Sequence, residues 1–217
     1  MDFGQADIQA LINQGLGFGA AVIGEPCTWF RPSGPANPLD PANARGELRC
    51  YFDPDYAFGG KKPNLYGKPL YGALFDRTAT LPGDYLQAAS GTYFLAAQQP
   101  LLPTAAVACN ATVTLTRPGG NTASGKQPYG GRRDSTDTPL MTGWPASLLR
   151  AGRTIAGKAD LPGDVPDGGF EMLLPAWPGV TLRTGDRVAD GQGRAFVLSS
   201  AELSDLGWRA VCVLAVA

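Results

Sequence analysis

The sequence predicts a mainly β protein with two small related β-barrel or β-sandwich units, a short N-terminal helix and long loops rich in proline and glycine. Composition is the first reason: the 217 residues include 29 glycines and 19 prolines, yet 44% are hydrophobic. This combination is typical of many short strands joined by turns. The second reason is a turn-and-strand pattern that occurs twice.

The two copies of this pattern lie 102 residues apart, since Gly83-Asp84 opens the first and Gly185-Asp186 the second. Each turn precedes a short apolar strand, a second turn with glycine and a stronger apolar strand. The other matched positions are Leu86 with Val188, Gly91 with Gly193, Phe94 with Phe196, Leu95 with Val197, and Leu101 with Leu203. All matched positions are separated by the same 102 residues, and the two members of each match have similar polarity. This regularity indicates a duplicated β-unit.

The chain is predicted to have three parts. Residues 1–117 hold the helix, a proline-rich arm and the first β-unit. Residues 118–139 have few apolar positions and are predicted to be a linker or long surface loop. Residues 140–217 form the second β-unit, with strands predicted at 147–158, 170–174, 183–189, 194–198 and 209–216.

The N-terminal segment carries the helical pattern. Apolar residues recur there at three- and four-residue spacing, at Ile8, Leu11, Ile12 and Leu16. The spacing predicts a helix over residues 5–16 with one apolar stripe, which the glycines at 15, 17 and 19 should end. Residues 20–31 are predicted to form a β-hairpin that turns at 24–26, and residues 47–52 a strand.

Four prolines recur at every third position after the hairpin, namely Pro32, Pro35, Pro38 and Pro41. This spacing favours an extended, polyproline-like chain. We therefore expect residues 31–43 to form an arm or loop that lies on another surface, and its segment 32–41 could lie along an adjacent subunit.

Two further segments are candidate contact sites, each with a second interpretation. Residues 53–70 are rich in aromatic residues, glycine, proline and lysine, and this loop either docks on the core by its rings or binds a partner. Its candidate binding residues are Tyr56, Phe58 and Tyr66. Lys126, Arg132 and Arg133 form a basic cluster that is either solvated or in contact with an acidic partner or nucleic acid.

The chain contains no histidine. This excludes Ser-His-Asp and Cys-His catalysis and nearly every catalytic zinc site. Asp53 and Asp55 are expected to form a turn. Loop carboxylates at Asp160, Asp164 and Asp167 are expected to be solvated, although they could hold a divalent ion. We predict no catalytic residue, no cofactor and no metal site, and expect the protein not to be an enzyme.

The four cysteines lie too far apart for a metal knuckle or a Cys-x-x-Cys redox pair. Cys109 and Cys212 are in apolar runs and are predicted to be buried free thiols. Cys27 and Cys50 could lie on adjacent strands and form a disulfide, and their spacing leaves this open.

Charge gives weak indications about partners. The net charge is −1, so binding to nucleic acid is not expected, and charged residues make up only 17% of the chain, which hints at a surface covered by neighbouring subunits. The apolar stretches are too short for a membrane span. The N-terminus lacks a basic region before an apolar block, so no secretory leader is expected.

The turn-and-strand motifs resemble small β-barrel modules of tailed bacteriophages, which occur in head–tail connector, neck and tail-completion proteins. In the second copy the resemblance lies in Gly185-Asp186, the Phe196-Val197-Leu198 strand and Leu206-Gly207-Trp208-Arg209; in the first it lies in residues 81–103, which are similar to phage and prophage virion proteins. It covers most of residues 70–117 and 140–217.

This resemblance implies a non-enzymatic virion component that joins neighbouring virion proteins at the neck, tail or baseplate. It also implies a homo-oligomer within a symmetric assembly, built in the bacterial host cytoplasm. The resemblance brings no catalytic residues. The predicted interaction residues are Pro32, Pro35, Pro38, Pro41, Tyr56, Phe58, Tyr66, Arg132 and Arg133. The alternative is a carbohydrate-binding or carbohydrate-cleaving tail module that contacts the host surface through the aromatic loop.

Overall fold

The computed structural model describes residues 4–54, 67–119, 137–150 and 169–215, which contain one α-helix and twelve strands. The helix α1 spans Gln5–Ile23, and a 3-10 turn spans Pro41–Asn43. The strands are β1 Glu25–Phe30, β2 Ala44–Asp53, β3 Leu70–Leu74, β4 Tyr85–Ala88, β5 Gly91–Ala97, β6 Thr104–Cys109, β7 Ala111–Arg117, β8 Thr138–Arg150, β9 Phe170–Leu174, β10 Arg187–Asp190, β11 Ala195–Ser204 and β12 Gly207–Leu214.

The strands form two closed antiparallel barrels of the same topology. The first has the order β1-β2-β3-β6-β5-β4 and closes by pairing β4 with β1. The second has the order β7-β8-β9-β12-β11-β10 and closes by pairing β10 with β7. Adding six to each strand number converts one order into the other. The predicted fold class, mainly β with two related β-units, is confirmed.

The duplication keeps its offset of 102 residues only through the first strand of the repeat. Leu86 pairs with Tyr93, and its counterpart Val188 pairs with Phe196. The structural counterpart of Phe196 is therefore Tyr93, so the predicted matches of Phe94 with Phe196 and Leu95 with Val197 are wrong by one residue. The reason is the longer turn in the second copy, where Asp190 N–H donates across three residues to the Arg194 carbonyl.

The predicted boundaries of the two units also need correction. Strand β7, placed by sequence in the first part, pairs with β8 and β10 and belongs to the second barrel. The boundary between barrels therefore lies at Asn110, between β6 and β7. The predicted linker 118–139 joins two strands of one barrel, and its residues 120–136 lie outside the described part. Among the predicted second-unit strands, 170–174 is confirmed as β9.

The helix is longer than predicted, because the glycines do not end it. Residues 20–23 are helical, so the predicted hairpin over 20–31 is wrong and only β1 remains. Tertiary contact overrides the weak helix propensity of glycine here. A Cβ atom on Gly17 would lie 3.1 Å from that of Asp76, which shows how closely the helix packs on barrel 1. The helix ends at Gly24, whose N–H donates to the Ala20 carbonyl at 2.8 Å.

Barrel 1 has its own apolar cluster and also contributes side chains to the cluster that fills barrel 2. Alternate residues of β4 and β5 face opposite sides of the sheet. Leu86 and Leu95 face the interior of barrel 1, whereas Tyr85 and Phe94 join the cluster that fills barrel 2. The Tyr85 hydroxyl donates to the Pro145 carbonyl at 2.9 Å, and burial holds the pKa of Tyr85 well above its usual value. The barrels are therefore packed against each other through ordered side chains.

A buried carboxylate closes the turn before β4. Asp84 accepts hydrogen bonds from Arg31 Nε at 2.9 Å and Nη2 at 2.8 Å, and from Trp29 Nε1 and Leu81 N–H, both at 2.8 Å. Arg31 Nη2 also donates to the Ala79 carbonyl at 2.8 Å. The hydrogen bond with Asp84 raises the pKa of Arg31.

The second barrel repeats this arrangement, which we call the arginine–aspartate clamp. Asp186 accepts from Arg117 Nε and Nη2, both at 2.8 Å, and from Arg183 N–H at 2.8 Å. Arg117 Nη2 also reaches the Thr181 carbonyl at 2.6 Å. The repeated Gly-Asp motif thus has a structural purpose: it supplies the carboxylate of each clamp.

The cysteines of the described residues are free. Cys27 and Cys50 lie on adjacent strands, as was considered possible, and are buried inside barrel 1 without a disulfide. A hydrogen bond with Cys27, reinforced by burial, raises the pKa of Cys50 far above its usual value. Cys212 is buried as predicted, and burial raises its pKa to about 12, whereas Cys109 is only half-buried.

Candidate interaction surfaces

The proline-rich arm lies on the second barrel of its own chain. The Pro35 carbonyl accepts hydrogen bonds from Trp144 Nε1 and Thr142 N–H, both at 2.8 Å. Pro38 is buried, and Leu39 packs against the larger core cluster. A buried indole N–H needs an acceptor, and the arm supplies it.

The arm is therefore already engaged within one chain. Pro32 is half-buried, while the side chains of Pro35 and Pro41 are exposed. A contact between the arm and an adjacent subunit stays a prediction, and it can involve only the exposed side chains of the segment.

The other predicted contact residues, Tyr56, Phe58, Tyr66, Arg132 and Arg133, lie outside the described residues. At the edge of the aromatic loop, Phe52 stacks on Tyr93 with ring centroids 3.7 Å apart. Asp53 is buried at the end of β2, and Asp55, Asp160, Asp164 and Asp167 are also outside the described part. The alternative carbohydrate role depends on this loop and stays a prediction.

Within the described ranges, no group of three or more acidic or cysteine side chains is placed to hold a metal ion. No helix in the same ranges combines the length and apolar character needed to cross a membrane.

Helix α1 presents an exposed apolar stripe to solvent. Its exposed fractions are 43% for Ile8, 59% for Leu11, 75% for Phe18 and 67% for Val22, with Gly15 between them. The spacing of three and four residues places all five positions on one side of the helix. We call these five residues the outer face of α1.

Polar contacts fix the opposite side of the helix to barrel 1. Arg77 Nε donates to Asn13 Oδ1 at 2.8 Å, and its Nη1 donates to the Leu102 carbonyl at 2.7 Å. Gln9 Oε1 accepts from Leu101 N–H at 2.9 Å. Arg77 is only 6% exposed, and burial lowers its pKa. Because these contacts hold the inner side, the helix keeps its outer face directed away from the barrel.

The loop beside the helix adds to this apolar surface. Leu101 and Leu102 are about half exposed, and Leu101 has φ +62°. A left-handed conformation costs a non-glycine residue roughly 1–2 kcal/mol. Leucine thus occupies a strained position while its side chain remains in water, which favours a role in contact with another molecule.

The helix carries almost no charge. Asp7 is its only charged residue, and this carboxylate accepts from Gly4 N–H at 3.0 Å at the helix start. The outer face therefore offers a partner apolar contact rather than ion pairs.

A second exposed apolar area lies where the barrels meet. Leu203 and Leu206, in the β11–β12 hairpin, are 55% and 44% exposed, and Leu81 of barrel 1 is 54% exposed. Pro82 and Pro175 help to line the cleft at Leu206. One chain thus presents separate apolar areas on helix α1 and on the hairpin of barrel 2.

Sequence reasoning found half of the outer face and missed the rest. Ile8 and Leu11 belong to the predicted stripe, but the predicted helix ends at residue 16, before Phe18, and Val22 falls in the predicted hairpin. The missed signal was that the spacing of three and four residues continues through Gly15 to Val22.

Comparison with known proteins finds no matching family model, no similar curated protein and no similar solved structure.

Proposed function

We propose that this protein is a non-enzymatic structural component of a tailed phage particle, joining neighbouring virion proteins at the neck, tail or baseplate. The observation that carries the proposal is the outer face of α1. Large apolar side chains there are exposed although the helix itself is held firmly in place.

The size of this surface supports the proposal. Each large side chain of the outer face leaves roughly 100 Å² of apolar surface in water, or more for Phe18, so the face exposes on the order of 500 Å². The largest apolar patch of a typical monomeric protein is about 300–600 Å² and is often functional, and the outer face is of this size. Exposure of such an apolar face to water is unfavourable. Binding of a partner that covers the face would therefore lower the free energy.

The rigid connection of the two barrels supports it as well. Because Tyr85 and Phe94 of barrel 1 enter the core cluster of barrel 2, we expect the barrels, and with them α1 and the β11–β12 hairpin, to keep a fixed separation. A connecting protein needs this property, since it must hold two neighbours at a defined distance. The twice-repeated Gly-Asp turn, on which the phage resemblance rests, is part of this rigid framework.

The proposal is tested in particles from a host that carries the gene. We expect mass spectrometry to find the protein in gradient-purified virions, and deletion of the gene to leave incomplete particles in electron micrographs. Complementation with the wild-type gene should restore complete particles. A gene with Leu11→Ser and Phe18→Ser should not, whereas one with Ala10→Ser, an exposed helix position off the outer face, should. Absence from the virions, or normal particles after deletion, would overturn the proposal.

A further inference from the structure

At two glycines of helix α1, close packing against the described residues does not account for the missing side chain. Around Gly15 and Gly19, apart from the helix's own backbone, no atom of the described residues lies within 4 Å of the position that a Cβ would occupy. Gly17 differs, because its Cβ would press on Asp76. Each glycine inside a helix costs about 1 kcal/mol relative to alanine. An open glycine on a helix surface is therefore unfavourable for the single chain and calls for another explanation.

The glycines form a notch in the outer face. Gly15 lies at its centre, with Leu11 and Phe18 on either side, and Gly19 lies one turn further on the same side. A notch without side chains allows the backbone of a second helix to approach closely. The flanking leucine and phenylalanine are large enough to fill such a notch in a partner.

The outer face is also self-complementary. About Gly15 as the centre, Ile8 and Val22 lie seven residues away on opposite sides, and Leu11 and Phe18 lie four and three residues away. Two antiparallel copies related by a two-fold axis at Gly15 would bring Ile8 opposite Val22 and Leu11 opposite Phe18 and Gly19. Such a two-fold contact uses the same patch on both subunits.

We propose that the outer face of α1 binds the outer face of α1 in a second copy of this chain, as an antiparallel pair that crosses at Gly15. This inference rests on the proposed function only in taking the outer face to be an assembly contact. The inference adds that the molecule bound to the outer face is a second copy of this chain.

Area and charge favour a second copy as the occupant. Two outer faces together would bury on the order of 1,000 Å², which is the lower limit for a specific interface. The absence of charge on the helix, apart from Asp7 near its start, removes repulsion between identical faces. Interfaces at this lower limit are typically weak and transient, so we expect a dissociation constant on the order of micromolar.

The first test is sedimentation of the purified chain and its variants from about 1 to 200 μM, a range that brackets this affinity. We expect a reversible monomer–dimer equilibrium for the wild type. Phe18→Ser and Leu11→Ser should each raise the dissociation constant at least about tenfold, because both remove central contact area. Ala10→Ser and Ala21→Ser, exposed positions off the outer face, should leave it unchanged. Circular dichroism checks that each variant keeps its fold.

The second test uses Gly15, where folding and pairing predict opposite effects. Gly15→Leu should raise the thermal stability of the monomer, because leucine is the better helix former and the site is open. The same change should raise the dissociation constant at least about tenfold, since it fills the crossing point. Gly15→Cys should form a covalent dimer under mild oxidation, whereas Ala21→Cys and the wild type should not.

The inference is overturned if the wild type stays monomeric throughout the concentration range. It is equally overturned if the wild type dimerises but Phe18→Ser and Gly15→Leu dimerise as well. Either result can coexist with the protein's presence in virions, in which case the proposed function stands and the outer face binds a different virion protein. Intact dimerisation with no protein in virions would overturn the proposed function alone.

Discussion

Asp84 and Asp186 show how a single buried charge can organise a barrel turn. Each carboxylate is almost fully buried, and each is held by the side chain of an arginine that is about one-third exposed. In each barrel, an arginine at the end of the first strand thereby stabilises the turn that precedes the fourth strand. Gly83 and Gly185 adopt φ +93° and +90° in these turns, a conformation that favours glycine.

Removal of one clamp carboxylate should be strongly destabilising. We expect Asp84→Asn to lower the free energy of unfolding by about 2–4 kcal/mol, because Arg31 loses its partner while remaining partly buried. Asp186→Asn should cost somewhat less, since Asp84 also accepts from Trp29, whereas no tryptophan of the described ranges donates to Asp186. Urea unfolding followed by tryptophan fluorescence measures both.

The control for the clamps is the exposed pair of Arg209 and Glu171. Glu171→Gln should change the free energy of unfolding by less than about 1 kcal/mol, as expected for an ion pair in water. A loss for Asp84→Asn no larger than that for Glu171→Gln would show that the clamp does not stabilise the barrel.

At the scale of elements, helix α1 illustrates how the same residue type serves different purposes at neighbouring positions. Gly17 allows the helix to approach barrel 1, and Gly24 allows the chain to leave the helix beside β2. A Cβ on Gly24 would lie 2.5 Å from the Ala20 carbonyl oxygen and 2.7 Å from that of Cys50. Both atoms belong to the backbone, so they cannot move aside as a flexible side chain would.

Substitution at this position should therefore disturb the whole helix–barrel contact. We expect Gly24→Ala to lower the free energy of unfolding by at least about 2 kcal/mol, the range of overpacking in a close contact. Gly34→Ala is the matched control, because nothing lies within 4 Å of its Cβ position, and it should leave stability unchanged or raise it by about 0.4–1 kcal/mol. Thermal denaturation compares the two, and equal midpoints would contradict the predicted close approach.

In the whole molecule, the two barrels are duplicated units joined by an apolar cluster to which both contribute, so that part of the core is shared. The ring of Tyr85 from barrel 1 lies 6.0 Å from that of Trp144, which is completely buried in the cluster of barrel 2. Trp144 in turn donates to the arm that follows β1. Loss of either barrel would expose the aromatic surface of the other.

The shared core predicts that both barrels unfold together. We expect one cooperative transition in urea, with coincident curves from tryptophan fluorescence and far-ultraviolet circular dichroism. Tyr85→Phe should shift this single transition to lower urea by the equivalent of about 1–2 kcal/mol, because the Pro145 carbonyl loses its donor. Two separate transitions, or a shift confined to one of them, would show that the barrels are independent.

Features that depend on neighbouring residues could be predicted from the sequence. The Gly-Asp turns, the strand at 170–174 and the start of α1 follow from local patterns of glycine, charge and apolar spacing, and comparison of the two turns revealed the duplication. These signals also predicted half of the outer face of α1, through Ile8 and Leu11.

Features that depend on distant contacts became visible only in the folded chain. The helix passes its glycines because Asn13 and Gly17 meet Arg77 and Asp76, β7 joins the second barrel because β8 and β10 pair with it, and the proline-rich arm binds the barrel of its own chain through Trp144. None of these partners lies close to its counterpart in the sequence. Their free energy comes from contacts that exist only once the chain has folded, so no local pattern could reveal them.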